Sequence, residues 1–237
     1  MKNFCLIFSV LIIILLTACS KSNEIASFEG KVYEIPFQLF YQDKPLDCDN
    51  HQILDFRLYI YDLELGQSAV SSSPKNKIQL LDFISSYECK NQLMLEVSKL
   101  SNQSELNFTL GVPSGLNHQN PVKAEYPLNL SAMHWQWLSG YKFLRLEFEN
   151  NDQVNRFHLG SWGCSGRIPD DVDCNAPNRI PILIPDFNIE NSFVAVHLDA
   201  LLDVETESLC MGSPNDRNCV HWLQALQHDV FKVGFVE

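Results

Sequence analysis

The sequence contains no Gly-x-Ser-x-Gly elbow, no phosphate-binding glycine loop and no His-Glu-x-x-His. The hydrolase, nucleotide-binding and zinc-protease chemistries that depend on those spacings therefore have no visible seat. It has no Cys-x2-Cys pair either, which argues against a thiolate metal site. Positive charge is scarce: 17 Lys and Arg stand against 29 Asp and Glu, for a net charge of -12. That balance disfavours nucleic acid or an anionic bilayer as partner and suits a basic partner or a cation. No apolar run reaches the roughly 20 residues that a membrane-spanning helix needs. No repeat, low-complexity tract or domain boundary is visible.

What is present begins with a leader. Met1-Lys2-Asn3 is a short basic start, residues 4–16 are almost wholly apolar, and Leu16-Thr17-Ala18-Cys19 places small residues before a cysteine. This is the layout of a secretory signal with a lipobox, and Cys19 is the expected lipidated first residue of a bacterial lipoprotein. Ser20 and Lys21 include no aspartate of the kind that holds lipoproteins at the inner membrane. An outer-membrane anchor is expected, with the domain in the periplasm or at the cell surface. Residues 1–18 are read as signal peptide, 19–29 as lipidated tether and 30–237 as one folded domain. Loss of residues 1–18 leaves 219 residues and, with Lys2 gone, a charge of -13. That is enough chain to bury a full core.

Setting aside Cys5 in the leader and Cys19 on the lipid leaves Cys48, Cys89, Cys164, Cys174, Cys210 and Cys219. An even number in an oxidising compartment predicts disulfides. The short separations favour Cys164–Cys174 and Cys210–Cys219, which leaves Cys48–Cys89. Alternating apolar and polar residues predict strands at 31–41, 54–63, 78–84, 93–97, 106–112, 142–149, 154–159, 180–184, 193–198 and 231–236. In the second, Phe56, Leu58 and Ile60 share one face, and Arg57, Tyr59 and Tyr61 the other. Leu144, Leu146 and Phe148 oppose Arg145, Glu147 and Glu149 in the same way. Pro36 marks the first strand as an edge or a bulge. Only residues 217–228 read as a sustained helix. The pattern predicts an all-β fold, a single disulfide-braced β-sandwich with short helical turns.

Residues 111–147 invite a functional reading. Trp135 and Trp137 stand beside His134 and follow His118, in a chain with four tryptophans. Imidazoles suit copper, zinc, iron and nickel, and a thioether from Met133 or Met211 would tilt a site toward Cu(I). His158 lies just ahead of Cys164, where a bridge would stiffen its surroundings. His51, His197, His221 and His228 are scattered and read as structural or solvated. Ser131 is a plausible cap for one short turn, which would put His134 and Trp137 on one face. An extended segment would instead pair Trp135 with Trp137. The Asp170-Asp171-x-Asp173 cluster lacks the glycine and distal glutamate of a calcium loop and reads as a solvated turn.

Several motifs together resemble the MbnP family: Leu80-Leu81-Asp82-Phe83 with Cys89, Gly-Val-Pro-x-x-Leu-Asn-His-x-x-Pro from Gly111, Trp135-x-Trp137-x-x-Gly140-Tyr141-Lys142-Phe143, and His158-Leu159-Gly160-Ser161-x-Gly163-Cys164. The likeness spans essentially the mature chain. It implies a periplasmic copper-binding protein, with Cys164, Cys174, Cys210 and Cys219 as the family's four-cysteine set. It also implies a partner, a dihaem enzyme related to cytochrome c peroxidases and MauG (MbnH-like). That partner oxidises a tryptophan of the copper protein to kynurenine, on which copper binding depends. By motif, the oxidised ligand is Trp135 or Trp137, with Trp162 a third oxidation candidate. The implied metal ligands are His118 and His158, with His134 a weaker one.

The reading is thus a lipid-anchored copper-binding protein, itself not an enzyme, matured by a dihaem oxidase. Two rivals use the same residues. One is a metal-independent lipoprotein that binds a glycan or protein through a tryptophan-lined face. The other is a hydrolase on a β-sandwich, whose carboxylates would be invisible to spacing.

Overall fold

A computed structural model of the chain describes residues 31–46, 53–66, 77–84, 89–97, 105–150, 152–169, 171–203 and 209–236. The expected signal peptide, the tether with Cys19, Cys48 and His51 lie outside these residues. The alternation of Phe56, Leu58 and Ile60 becomes the inner face of β3 (Ile53–Leu65), whose three apolar side chains are fully buried. β3 pairs with β8 (Gly140–Asn150) along Ile53–Leu58, with β6 (Glu105–Leu110) along Ile60–Leu65, and with β4 (Gln79–Asp82). β12 (Ile180–Pro185) extends this sheet beyond β6. On the other side, β9 (Gln153–Gly160) and β14 (Leu209–Cys210) follow β8. The short β7 (His134–Gln136) joins the start of β8 and brings the sheet to eight strands.

The second sheet is built on β1 (Lys31–Tyr41), which pairs with β2 (Lys44–Pro45), β5 (Lys90–Val97) and, in parallel, β13 (Ser192–His197). β15 (Phe231–Phe235) lies beyond β13. Phe108 joins the layers, edge-on to Phe37 with ring centroids 6.0 Å apart and to Phe231 at 5.4 Å. Pro36 is not on an edge strand, because β1 has neighbours on both sides. Pairing with β13 begins only at Phe37, so the missing N–H falls where β1 is bonded to β5 alone.

All ten predicted strands form. A hairpin that the alternation did not signal is added, β10 (Trp162–Arg167) with β11 (Asp171–Ala176). Both of its faces are largely exposed, so no apolar alternation was needed to hold it. The expected bridges Cys164–Cys174 and Cys210–Cys219 are formed, and Cys89 is disulfide-bonded. Asp171 and Asp173 are exposed, as expected, but on the strand β11 rather than in a turn; Asp170 lies outside the described residues.

The predicted helix is α3 (Arg217–His228); two single-turn helices, α1 (Ser114–Asn117) and α2 (Asp199–Leu202), are also present. α3 docks through Trp222, which is 1% exposed. Its ring stacks on Phe157 of β9 at 4.8 Å, and its indole N–H donates to the Leu201 carbonyl at 3.1 Å. Cys219 ties the first turn of α3 to Cys210 of β14. Trp222→Ala removes the stack and the donor together, and a loss of about 3–5 kcal/mol is expected for a large core aromatic. Urea unfolding measures it; a loss below about 1 kcal/mol would show that α3 is not part of the cooperative core.

Candidate functional site

The outer face of β3 carries Tyr59, yet this tyrosine is fully buried, because residues 111–139 lie across it. Its hydroxyl donates to the Pro127 carbonyl at 2.9 Å, and its ring meets Tyr141 edge-on at 6.1 Å. Asn117, at the end of α1, is the pin of that covering segment. Its Oδ1 accepts the Tyr141 backbone N–H at 3.0 Å. Its amide faces Ser139 O at 3.4 Å, Ser161 Oγ at 3.3 Å and His118 Nε2 at 3.2 Å. Gly140, at φ +76°, lets the chain pass this point, since a Cβ there would collide with the Asn117 carbonyl.

The Trp-x-Trp segment splits its side chains. Residues 131–133 form one 3-10 turn that starts after Leu130 with no side-chain cap, so Ser131 does not act as the N-cap. β7 follows in extended geometry and sends neighbouring side chains to opposite sides. His134 pairs with Tyr141 in register; its ring lies 5.2 Å from Tyr141 and 6.0 Å from Trp137. Trp135 instead faces His158 at 6.3 Å. It also packs on Gly160, where a Cβ would come within 3.0 Å of the indole. Trp137 turns out toward solvent at 48% exposure. The two indoles of the motif therefore do not stack as a pair: each keeps its own histidine.

Trp135 forms one wall of a groove of about 570 Å³, with Gln136, Leu138, Ser139, Ser161, Trp162 and Met211 around it and Cys164 in its lining. His118 stands behind the Cys164–Cys174 bridge, its Nε2 lying 3.9 Å from Cys174 Sγ. Both His118 and His158 are buried, and neither lines the groove: His118 lies next to it through the bridge and His158 through Trp135. Among the described residues, no group of three His, Cys, Asp or Glu donors brings two of these histidines together. The group that does converge is His118 with Cys164 and Cys174, all within 4.8 Å of one another. Sulfurs bonded to each other offer no thiolate, so with the bridge formed this is not a thiolate metal site.

Behind His158 runs a chain of alternating charge along the outer face of β4, β3, β8 and β9. Arg57 Nε lies 3.2 Å from Asp82 and 3.4 Å from Asp55; Arg145 Nε lies 3.2 Å from Asp55. Arg145 meets Glu147 at 3.0 Å, and His158 Nε2 lies 2.7 Å from Glu147 Oε1. Burial works to raise the Glu147 carboxyl, but hydrogen bonds from Arg145 and His158 together outweigh it and hold it below the ordinary carboxylate range. Ionised Glu147 accepts, so Nε2–H of His158 donates and Nδ1 keeps the lone pair. Asp55, 6% exposed, is pushed up mainly by burial against the pull of both arginines.

The three candidate histidines are all held below the usual imidazole range. Burial is the largest cause each time; Lys142 adds to it at His134, and Glu147 opposes it at His158. His118 Nδ1 and His134 Nε2 are buried without a hydrogen-bond partner. Neutral imidazole is the form in which histidine binds a metal; His158 keeps its Nδ1 lone pair, whereas the Nε2 lone pair of His118 faces the Asn117 amide, which a metal there would have to displace. Imidazole donors of this kind fit a borderline or soft cation.

Nothing in residue type or spacing marks Asn117 or Glu147 as part of the site. A signal for Glu147 existed in the β8–β9 hairpin register, which puts Glu147 opposite Arg156 and so diagonal to His158.

A histidine whose folded pKa is depressed resists the proton that the unfolded chain accepts. Stability from these imidazoles is therefore present above about pH 6.5 and is lost as pH falls below it. Glu147 acts in the same direction at lower pH, and Asp55 in the opposite one. The urea midpoint is expected to be lower at pH 5.5 than at pH 7.5, and equal midpoints would refute buried neutral imidazoles. Glu147→Gln removes a charge that favours the imidazolium, so the His158 pKa should fall further, read from its ring proton shifts by NMR.

Comparison with known proteins places the chain by fold and by family. Among curated protein sequences none matches. A solved structure, MbnP from Methylosinus trichosporium, superposes with a TM-score of 0.68 at 20% identity, covering 84% of this chain and 89% of that one. At that identity the likeness speaks for the fold. The MbnP profile matches residues 29–216, a span that contains Asn117, all three candidate histidines, the Trp-x-Trp segment and Cys164–Cys174. On that match over most of its length, the chain belongs to the MbnP family.

Proposed function

We propose that this chain is a copper-binding protein of the cell envelope, non-catalytic itself, whose site is completed by oxidation of Trp135. Family membership supports a role in copper handling. The observation that carries the finer reading is that Trp135 lines the groove and faces His158 at 6.3 Å, while His118 lies behind the Cys164–Cys174 bridge whose Cys164 is part of the same lining. Trp137, half exposed and paired with His134, fits the role less well. His118 and His158 are the imidazoles that would hold copper, and Glu147 orients the second. Opening the indole of Trp135 to kynurenine, a four-electron oxidation by the haem partner in which water supplies the oxygen and the C2 carbon leaves as formate, replaces a poor ligand by an arylamine and a ketone, either of which can approach a cation. Trp135 is only partly buried, so a dihaem enzyme docked over the groove could withdraw electrons from it without admitting it to the haem pocket. Anchoring through a lipid on Cys19 belongs to the same proposal, on the strength of the lipobox.

The same groove favours one competing reading. Trp135 and Trp162 beside Gln136, Ser139 and Ser161 make the mixture of aromatic faces and hydroxyls that also suits a sugar. Co-expression with a dihaem partner separates the two. Copper binding by oxidation predicts a gain of about 4 Da on the Trp135 peptide (one carbon lost, one oxygen gained) together with increased copper uptake. Trp135→Phe should abolish both, and Trp137→Phe should abolish neither. An unmodified peptide with unchanged copper uptake overturns the proposal. Glycan binding in metal-free buffer that Trp135→Phe destroys would put the sugar reading in its place.

A further inference from the structure

The Cys164–Cys174 bridge differs from its neighbour in where it sits. Cys210 and Cys219 are fully buried, whereas Cys164 and Cys174 are half-exposed partners on the β10–β11 hairpin, and Cys164 lines the groove. A reductant can therefore reach one pair and not the other. Behind the accessible pair stands His118, 5% exposed, with Nε2 3.9 Å from Cys174 Sγ and Nδ1 without a hydrogen-bond partner. The three donor atoms lie within 4.8 Å of one another, and the thioether of Met211 opens on the same groove.

We infer that His118, Cys164 and Cys174 form a second, redox-gated site for a soft monovalent cation, Cu(I), which exists only when the bridge is reduced. A dithiol reductant supplies two electrons and two protons: its own S–S bond forms as the Cys164–Cys174 bond breaks, leaving two thiols. Cu(I) then displaces the thiol protons and is held by two sulfurs and one imidazole, with no change in its own oxidation state. Two thiolates with one imidazole are a donor set that selects Cu(I) over harder ions. Exchange with a disulfide oxidant, which takes up the two electrons and two protons and leaves as a dithiol, re-forms the bridge, removes both thiolates and releases the ion. The β10–β11 pairing holds residues 164 and 174 opposite each other throughout, so the donors stay gathered when the S–S bond is open. The inference does not rest on oxidation of Trp135, although it shares His118 with the site proposed above.

The test uses the full chain made without a dihaem partner, its four indoles verified intact by mass. The chain is reduced anaerobically with a phosphine, freed of reductant, and titrated with Cu(I) against a chromogenic chelator. The reduced chain should take up one equivalent that the oxidised chain does not, with a thiolate-to-copper band in the ultraviolet. His118→Ala should weaken that equivalent at least tenfold, and the Cys164→Ser/Cys174→Ser double variant should lose it. Bound Cu(I) should also shield Cys164 and Cys174 of the unsubstituted reduced chain from alkylation, read by peptide mass, a measurement independent of whether the variants fold. Equal uptake by oxidised and reduced chains, retention of the ion by the double variant, absence of that shielding, or loss of the folded circular dichroism spectrum on reduction would each overturn the inference. Because the indoles remain intact, none of these results bears on the kynurenine reading.

Discussion

One buried amide sets the geometry of the candidate site. Asn117 is completely enclosed, and its side chain meets the β7–β8 turn at Ser139 and Tyr141, the β9–β10 corner at Ser161, and the ring of His118. Its two amide hydrogens serve three acceptors, and its oxygen serves a backbone N–H that bulged pairing would otherwise leave unmatched. An amide in that position is replaced only at a cost, because Tyr141, Ser161 and His118, three of the partners it serves, are themselves buried. Gly140 is the complement of Asn117, the residue that lets β8 begin against the carbonyl. Together they hold the covering segment on the sheet, and so Trp135 over Gly160.

The second constraint is electrostatic. A β-sheet face that would ordinarily be solvated is here half covered, and its charges respond by pairing in sequence from Asp82 to His158. Buried ion pairs contribute little net stability. What this chain does supply is a fixed orientation for one imidazole. The carbonyl of Ala132 closes the arrangement by accepting from both Lys142, at 2.9 Å, and Arg145, at 3.4 Å, which ties the turn before the tryptophans to the charged face. Packing from the Asn117 side and charge from the Glu147 side therefore converge on the same indole.

Period-2 alternation revealed the sheets, because burial of one strand face leaves a mark on every second residue. Phe56, Leu58 and Ile60, and equally Leu144, Leu146 and Phe148, point inward as that pattern required. Strands buried on neither face leave no mark, so β10 and β11 have no periodic signature although they carry a disulfide. Tyr59 shows the converse: alternation puts it on the outer face, where it lies, but only the fold shows that residues 111–139 bury it there.

The sequence by itself determined the all-β class, the inward-facing residues, the pairing of Cys164 with Cys174 and of Cys210 with Cys219, and the family to which the motifs belong. These are local properties: alternation, spacing and short-range order are written along the chain. Tertiary structure alone decided that Trp135 and Trp137 take different histidines, that Glu147 grips His158, and that His118 stands behind an accessible bridge. Each of those contacts joins residues on different strands, and it depends on sheet register, a bulge in β8 and the reach of one buried amide, none of which leaves a periodic trace.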